Sequence, residues 1–76
     1  MKKLILVKFG KRIRELRRGR ELSQKQLGEL TGFHYNYVGM IERGERNPSL
    51  ENIAVFANAF EISLSELFTF EVKNEN

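Results

Sequence analysis

The sequence predicts an all-α fold of five short helices, from three observations. Apolar residues recur at helical spacing in separate stretches, a serine precedes three of these stretches at a capping position, and glycines follow at stop positions. The predicted helices cover residues 8–18, 24–31, 34–43, 50–60 and 64–68. Since a chain of 76 residues can build only one small core, we expect a single domain over residues 1–76.

The first predicted helix is amphipathic. Phe9, Ile13 and Leu16 fall at i, i+4 and i+7 on one face, lysine and arginine fill most of the remainder, and Gly19 ends the helix. The preceding apolar run, residues 4–7, fits either a strand or the start of a helix. The sequence leaves both open.

Residues 23–44 predict two helices joined by a tight turn. Ser23 is placed to cap the first helix, Gly32 ends it, and the second helix ends at Gly44. Glycine suits both exits because it tolerates the left-handed backbone that a sharp helix exit requires. The stretch therefore has defined starts and stops.

The spacing within this stretch predicts which residues face inward. Leu27, Val38 and Ile41 are the apolar positions that would meet between the two helices. Gly28 lies in mid-helix, where glycine costs about 1 kcal/mol relative to alanine, so we expect a second helix to cross there closely. The alternative is an ordinary αα-hairpin that is weakened at Gly28.

A fourth helix follows the Asn47-Pro48 turn and begins at Ser49. Its inward face is expected to hold Leu50 and Ile53, but nearly all of its circumference is apolar, which indicates burial on both sides. Ser63 and Glu66 have the spacing of a capping box for the fifth helix. Residues 68–72 alternate like a strand, so the tail is either frayed or paired with residues 4–7.

Charge and composition narrow the classes of function that the chain can have. Residues 1–20 contain nine Lys or Arg and one Glu, whereas residues 48–76 contain one Lys and five Glu. Such a basic segment is typical of nucleic-acid binding, although a solvated helix face is the simpler alternative. The chain has no cysteine, and His34 is its only histidine. We therefore expect no disulfide, metal, cofactor or enzymatic activity.

The chain also lacks any apolar run near the ~18 residues of a membrane span. We expect a cytoplasmic protein that is not bound to a membrane and has no small-molecule ligand.

The segments SQKQLGELTGFHYNYVGMIERG, IERGERNPSLENI and ISLSELF carry a family resemblance. Gln24, Gly28, Gly32, Phe33, Val38 and Ile41 fill the slots of the motif. Over about residues 8–68 the chain resembles the lambda Cro/repressor-type (XRE-like) helix-turn-helix family. Within that family, the controller proteins of restriction–modification systems are similar in size and layout. The resemblance implies a lambda-repressor-like domain that binds double-stranded DNA.

In this fold the second helix of the motif lies in the major groove and the first crosses the backbone. We expect base contacts from Tyr35, Asn36 and Met40, because a carboxamide can pair with adenine and apolar groups can pack on a thymine methyl. The expected backbone contacts are Arg17, Gln24, His34, Tyr37, Arg43, Arg46 and Asn47. His34 is also placed to cap its helix, and packing against a neighbouring helix is the alternative for Tyr37.

Two acidic residues, Glu42 and Glu45, alternate with the arginines at the end of the second helix of the motif, the helix expected to contact the bases. We expect them to orient Arg43 and Arg46 by local ion pairs.

One motif touches few bases, so a homodimer on an inverted-repeat operator is expected. The predicted dimer surface consists of Val55, Phe56, Phe60, Leu64, Leu67 and Phe68. The predicted function is transcription regulation. The alternative is an antitoxin or adaptor that binds a protein partner, with DNA binding secondary.

Overall fold

The computed structural model describes residues 3–71 and contains five helices. In chain order they are α1 (Leu4–Gly19), α2 (Gln24–Thr31), α3 (Tyr35–Glu42), α4 (Leu50–Ala59) and α5 (Leu64–Leu67). Residues 3–71 contain no strand. The prediction of an all-α, five-helix fold is confirmed, and helices α2 to α5 lie within a residue or so of their predicted bounds.

Helix α1 begins four residues earlier than predicted. The Lys3 carbonyl accepts hydrogen bonds from the backbone N–H groups of Leu6 and Val7 at 3.0 and 3.1 Å, so residues 4–7 form the first helical turn. Val7 packs against the backbone of Gly44, just beyond α3. This contact, distant in sequence, favours the helix over the strand alternative. The alternative in which residues 4–7 form a strand paired with the tail is therefore wrong. Val72 of that tail lies outside the described residues.

Serine side chains cap three of the helices. Each accepts a hydrogen bond from the N–H group three residues later, in the pairs Ser23–Gln26, Ser49–Asn52 and Ser63–Glu66. The Gln26 side chain also accepts from the Ser23 N–H at 2.8 Å, which completes a capping box at α2. Each cap satisfies an N–H group that the helix itself leaves unpaired.

The core joins all five helices. Leu27, Val38 and Ile41 are at most 1% exposed, as predicted from their spacing. The remaining buried apolar residues are Phe9, Ile13, Phe56, Ala57, Phe60 and Leu67. Leu50 was expected to face inward, but it is 74% exposed.

The predicted dimer surface is wrong at three of its six residues. Phe56, Phe60 and Leu67 are fully buried within one protomer, so they offer no surface to a partner. Phe56 lies against Phe9 of α1 and against Phe33, which belongs to the turn between α2 and α3. The monomer therefore covers the second side of α4, which the sequence assigned to a partner.

Two glycines allow backbones to approach closely. A β-carbon on Gly10 would collide with the carbonyls of Ile41 and Glu42, so α1 crosses the end of α3 without a side chain between them. A β-carbon on Gly28 would lie 2.6 Å from the Phe33 carbonyl oxygen. The expected close approach at Gly28 is confirmed, but it involves the turn and the start of α3 rather than a crossing helix.

Within the described range, no helix combines the length and apolar character required to cross a bilayer.

Candidate nucleic-acid interface

The entry to α3 is formed by an aromatic pair. His34 caps the helix, because its Nδ1 accepts a hydrogen bond from the Asn36 N–H at 3.0 Å. The imidazole stacks on the Tyr35 ring with 4.5 Å between centroids. A neutral imidazole that accepts at Nδ1 carries its proton on Nε2, and this N–H can donate to a phosphate. The capping role predicted for His34 is confirmed, and its phosphate contact stays a prediction.

The outward face of α3 forms the wall of a shallow concave surface that we call the reading surface. It is lined by Gln24, Tyr35, Asn36, Gly39, Met40 and Arg43. Asn36 is exposed, and its carboxamide makes no hydrogen bond to any described residue. The structure thus brings all three predicted base contacts together with Gln24 of α2, which precedes them by more than ten residues.

A buried ion pair between Arg17 and Glu42 supports the reading surface from the protein interior. Arg17 of α1 donates to both carboxylate oxygens of Glu42, from Nε at 2.6 Å and from Nη2 at 3.0 Å. Arg17 also donates to the Leu22 carbonyl, and Gln24 Nε2 donates to Glu42 Oε1 at 3.1 Å. This cluster fixes α1, the start of α2 and the end of α3 relative to one another.

The prediction of Arg17 as a DNA-backbone contact is wrong. The residue is only 8% exposed, and each of the three nitrogens of its guanidinium donates a hydrogen bond to a protein acceptor. The hydrogen bond to Glu42 raises the pKa of Arg17, against the opposing effect of burial. Arg17 therefore stays protonated and positively charged. A signal was available in the sequence, since Arg17 lies four residues after Ile13 on the inward face.

The acidic residues at the end of α3 have different partners from each other. Glu42 pairs with Arg17 rather than with Arg43 or Arg46, so the predicted orienting role of Glu42 is wrong. Glu45 does pair with Arg43, at 2.9 Å from Nε, as expected. Arg46 is exposed and its Nε lies 3.5 Å from Met40 Sδ, which places its guanidinium beside the reading surface.

The packing alternative describes Tyr37 better than a backbone contact. The ring is half-buried and meets Phe33 edge to face at 5.0 Å between centroids. Its hydroxyl accepts a hydrogen bond from Asn52 Nδ2 at 3.1 Å. Asn47, another predicted backbone contact, borders an apolar cavity that includes Pro48 and Phe68.

The basic residues of α1 divide into structural and exposed groups. Arg12 donates to the carbonyls of Glu66 and Leu67 at the end of α5, and Arg20 donates to the Phe60 carbonyl at the end of α4. Arg14 and Arg18 are exposed and have no ion pair with any described carboxylate.

Arg14 lies one turn from both Gly10 and Arg17, two residues of α1 that contact α3, and its own side chain is exposed. Sequence reasoning selected the wrong arginine of this helix, because charge alone does not separate an exposed face from a buried one.

The chain was compared with known proteins. A helix-turn-helix family model (HTH_3) matches residues 13–67. The control protein C.SmaI of Serratia marcescens is 41% identical over 64 residues, which cover 83% of this chain and 76% of that protein.

Two solved structures share the fold. The restriction-modification controller protein C.AhdI from Aeromonas hydrophila is 52% identical with a TM-score of 0.83, over 87% of this chain and 100% of that one. The controller C.Esp1396I, solved as a tetramer in complex with its natural 35 base-pair operator, has a TM-score of 0.82 over 88% of each chain, and at 22% identity the likeness concerns the fold. C.SmaI and C.AhdI are named as a control protein and a controller protein, in agreement with the expectation that the chain is not an enzyme.

Proposed function

The chain belongs to the helix-turn-helix family HTH_3, and from this membership we propose that it is a sequence-specific, DNA-binding transcriptional regulator. The observation that supports the proposal most directly is the reading surface. It presents a carboxamide that has no partner among residues 3–71, a phenol and a thioether, all from α3 and on one face, beside the start of α2. These groups match the edges that bases expose in the major groove.

In the proposed complex, α3 enters the major groove and α2 crosses the backbone. Asn36 pairs with a base, and Tyr35 and Met40 pack on neighbouring bases. The backbone contacts come from Gln24, His34, Arg46 and Asn47, and Arg14 and Arg18 take the place of Arg17. Gln24 keeps one of its two amide protons free for a phosphate, since Glu42 accepts only one.

The protein acts as a homodimer on an inverted repeat. Two reading surfaces about 34 Å apart would contact one face of the DNA and double the number of bases read. Of the predicted dimer residues, Val55, Leu64 and Phe68 remain available, because they are not fully buried in the protomer.

The biological role is that of a controller of a restriction–modification system, acting in the cytoplasm. The similarity to C.SmaI and C.AhdI, both named as controllers, supports this role. Residues 1–76 work as one domain, in keeping with the single core that links all five helices.

Selection from a random double-stranded DNA library at fixed salt tests the proposal. We expect enrichment of an inverted repeat whose half-site centres lie about 10 base pairs apart. Absence of any enriched sequence would contradict it. Co-purification of a second polypeptide that blocks DNA binding would instead favour the adaptor or antitoxin function.

A further inference from the structure

Arg43 is held in a defined orientation by a carboxylate on its own segment. Its Nε donates to Glu45 Oε2 at 2.9 Å and its Nη2 donates to Glu45 Oε1 at 3.2 Å. These two bonds occupy one edge of the planar guanidinium. The terminal edge, with one N–H from each of Nη1 and Nη2, has no acceptor among residues 3–71 and can bind another group.

Nη1, one of the two nitrogens of this terminal edge, lies at the reading surface. A β-carbon added at Gly39 would lie 3.1 Å from Arg43 Nη1 and 3.4 Å from Gln24 Oε1. Gly39 precedes Arg43 by four residues, so the arginine side chain runs back along α3, over the glycine, toward the helix N-terminus. There it lines the same concave surface as Asn36 and Met40.

The charge of the pair argues against a phosphate contact. Arg43 and Glu45 together are neutral, and a phosphate that approached Arg43 would also approach the carboxylate. Binding to phosphate draws its energy from net positive charge and counterion release, whereas pairing with a base needs oriented donors. Arg46 differs from Arg43, since it has no ion pair with a carboxylate among residues 3–71.

We propose that Arg43 reads a guanine in the major groove through its terminal N–H edge, and that Glu45 is a positioning residue that presents this edge. The acceptors are guanine O6 and N7, which match two parallel N–H donors. This assignment replaces the backbone contact expected from the sequence, and it rests on the proposed DNA-binding function.

The test measures dissociation constants across a salt series for the full-length protein on its selected operator. In each operator of a second set, one G·C pair and its symmetry-related copy are replaced. Arg43→Lys keeps the charge but loses the fork, so we expect an affinity loss of about ten- to hundredfold on the selected operator. The loss should disappear on the one operator that lacks the guanine, and the salt dependence should stay unchanged.

Arg46→Ala is the matched control. Loss of a phosphate contact should weaken binding to every operator equally and reduce the salt slope by about 0.9 for each bound protomer, which is about 1.8 for the dimer. Arg43→Lys with full affinity and unaltered base preference would overturn the assignment. So would an Arg43→Ala variant that behaves like Arg46→Ala.

Glu45→Gln tests the positioning role, because we expect it to change the affinity for random DNA and the preference for the guanine in opposite directions. Removing the negative charge should strengthen binding to random DNA while it weakens the preference for the guanine. Equal changes on both DNAs would contradict a positioning role. If the wild-type protein selects no sequence, the proposed function fails; if it does and Arg43→Lys keeps every base preference, only this assignment fails.

Discussion

At the scale of single residues, two arginines of α1 with the same charge have different environments and roles. Arg17 is buried and bound to Glu42, while Arg14, one turn earlier, is exposed to solvent. The difference follows from position on the helix, since Arg17 shares the inward face with Ile13. A buried ion pair of this kind is costly to break, because one partner is left charged and without a counter-ion.

Replacing Glu42 with alanine is therefore expected to lower the free energy of unfolding by about 3–5 kcal/mol. It would leave Arg17 unpaired and remove an acceptor from Gln24. Urea denaturation followed by circular dichroism measures the change. Arg14→Ala is the control on the same helix, with an expected change within about 0.5 kcal/mol. Similar stabilities for the two variants would show that the buried pair contributes little.

Asn36 is the residue with the clearest base-reading chemistry. Asn36→Ala should weaken binding to the selected operator by about 1–3 kcal/mol and leave binding to random DNA nearly unchanged. Its carboxamide has no partner among the described residues, so the fold should not be affected. Fluorescence anisotropy on both DNAs measures the difference. An equal loss on the two would remove Asn36 from the base contacts.

At the scale of elements, helices α1 and α4 end in the same way. Glu21 and Glu61 both have φ of 57°, a left-handed conformation that favours glycine. In each case the next residue, Leu22 or Ile62, donates a backbone hydrogen bond of 3.1 Å to the last turn of the helix. A capping serine then starts the following helix. The chain thus uses one connection twice, to turn from α1 into α2 and from α4 into α5.

The contact between α1 and α3 depends on a glycine that sequence reasoning did not single out. Gly10→Ala places a β-carbon against the carbonyls of Ile41 and Glu42, and backbone cannot move aside as a flexible side chain can. We expect a loss of about 1–3 kcal/mol in unfolding free energy from overpacking. Thermal denaturation measures it.

Gly19→Ala is the matched control, in the same helix. Nothing lies within 4 Å of a β-carbon at Gly19, so alanine should be neutral or stabilising by up to about 1 kcal/mol through helix propensity. Equal effects of the two substitutions would mean that α1 and α3 can separate at little cost.

At the scale of the whole molecule, the monomer core uses most of the apolar residues of α4 and α5. What remains on the surface is a smaller set, including Leu64 and Phe68, which are 43% and 39% exposed. Phe68 still contacts Phe9 and Phe70 through its ring. A dimer built here would combine these side chains with half-buried Val55.

Leu64→Asp should raise the dimer dissociation constant by roughly tenfold or more, because an unpaired carboxylate would be desolvated in the interface. Sedimentation equilibrium measures the constant. Leu30→Asp is the control, since Leu30 is also an exposed leucine, at 58%, but lies on α2. A wild-type monomer that protects a single unpaired half-site would contradict the dimer.

The sequence by itself determined the features that short-range chemistry controls. The three serine caps, the glycine exits at Gly32 and Gly44, and the inward residues Leu27, Val38 and Ile41 depend on neighbours within a few positions. A helix period and a cap can be predicted from such neighbours alone.

The tertiary structure decided what depends on residues far apart in the chain. Arg17 meets Glu42 across 25 positions, and Arg20 meets the Phe60 carbonyl across 40. These contacts make both arginines structural. Packing of Phe9 and Phe33 on Phe56 covers the far side of α4, and the contact of Val7 with Gly44 favours a start of α1 at Leu4. The sequence shows the charge and the apolar surface of each residue, but only the packing of the helices determines which of them face a neighbouring helix and which face solvent.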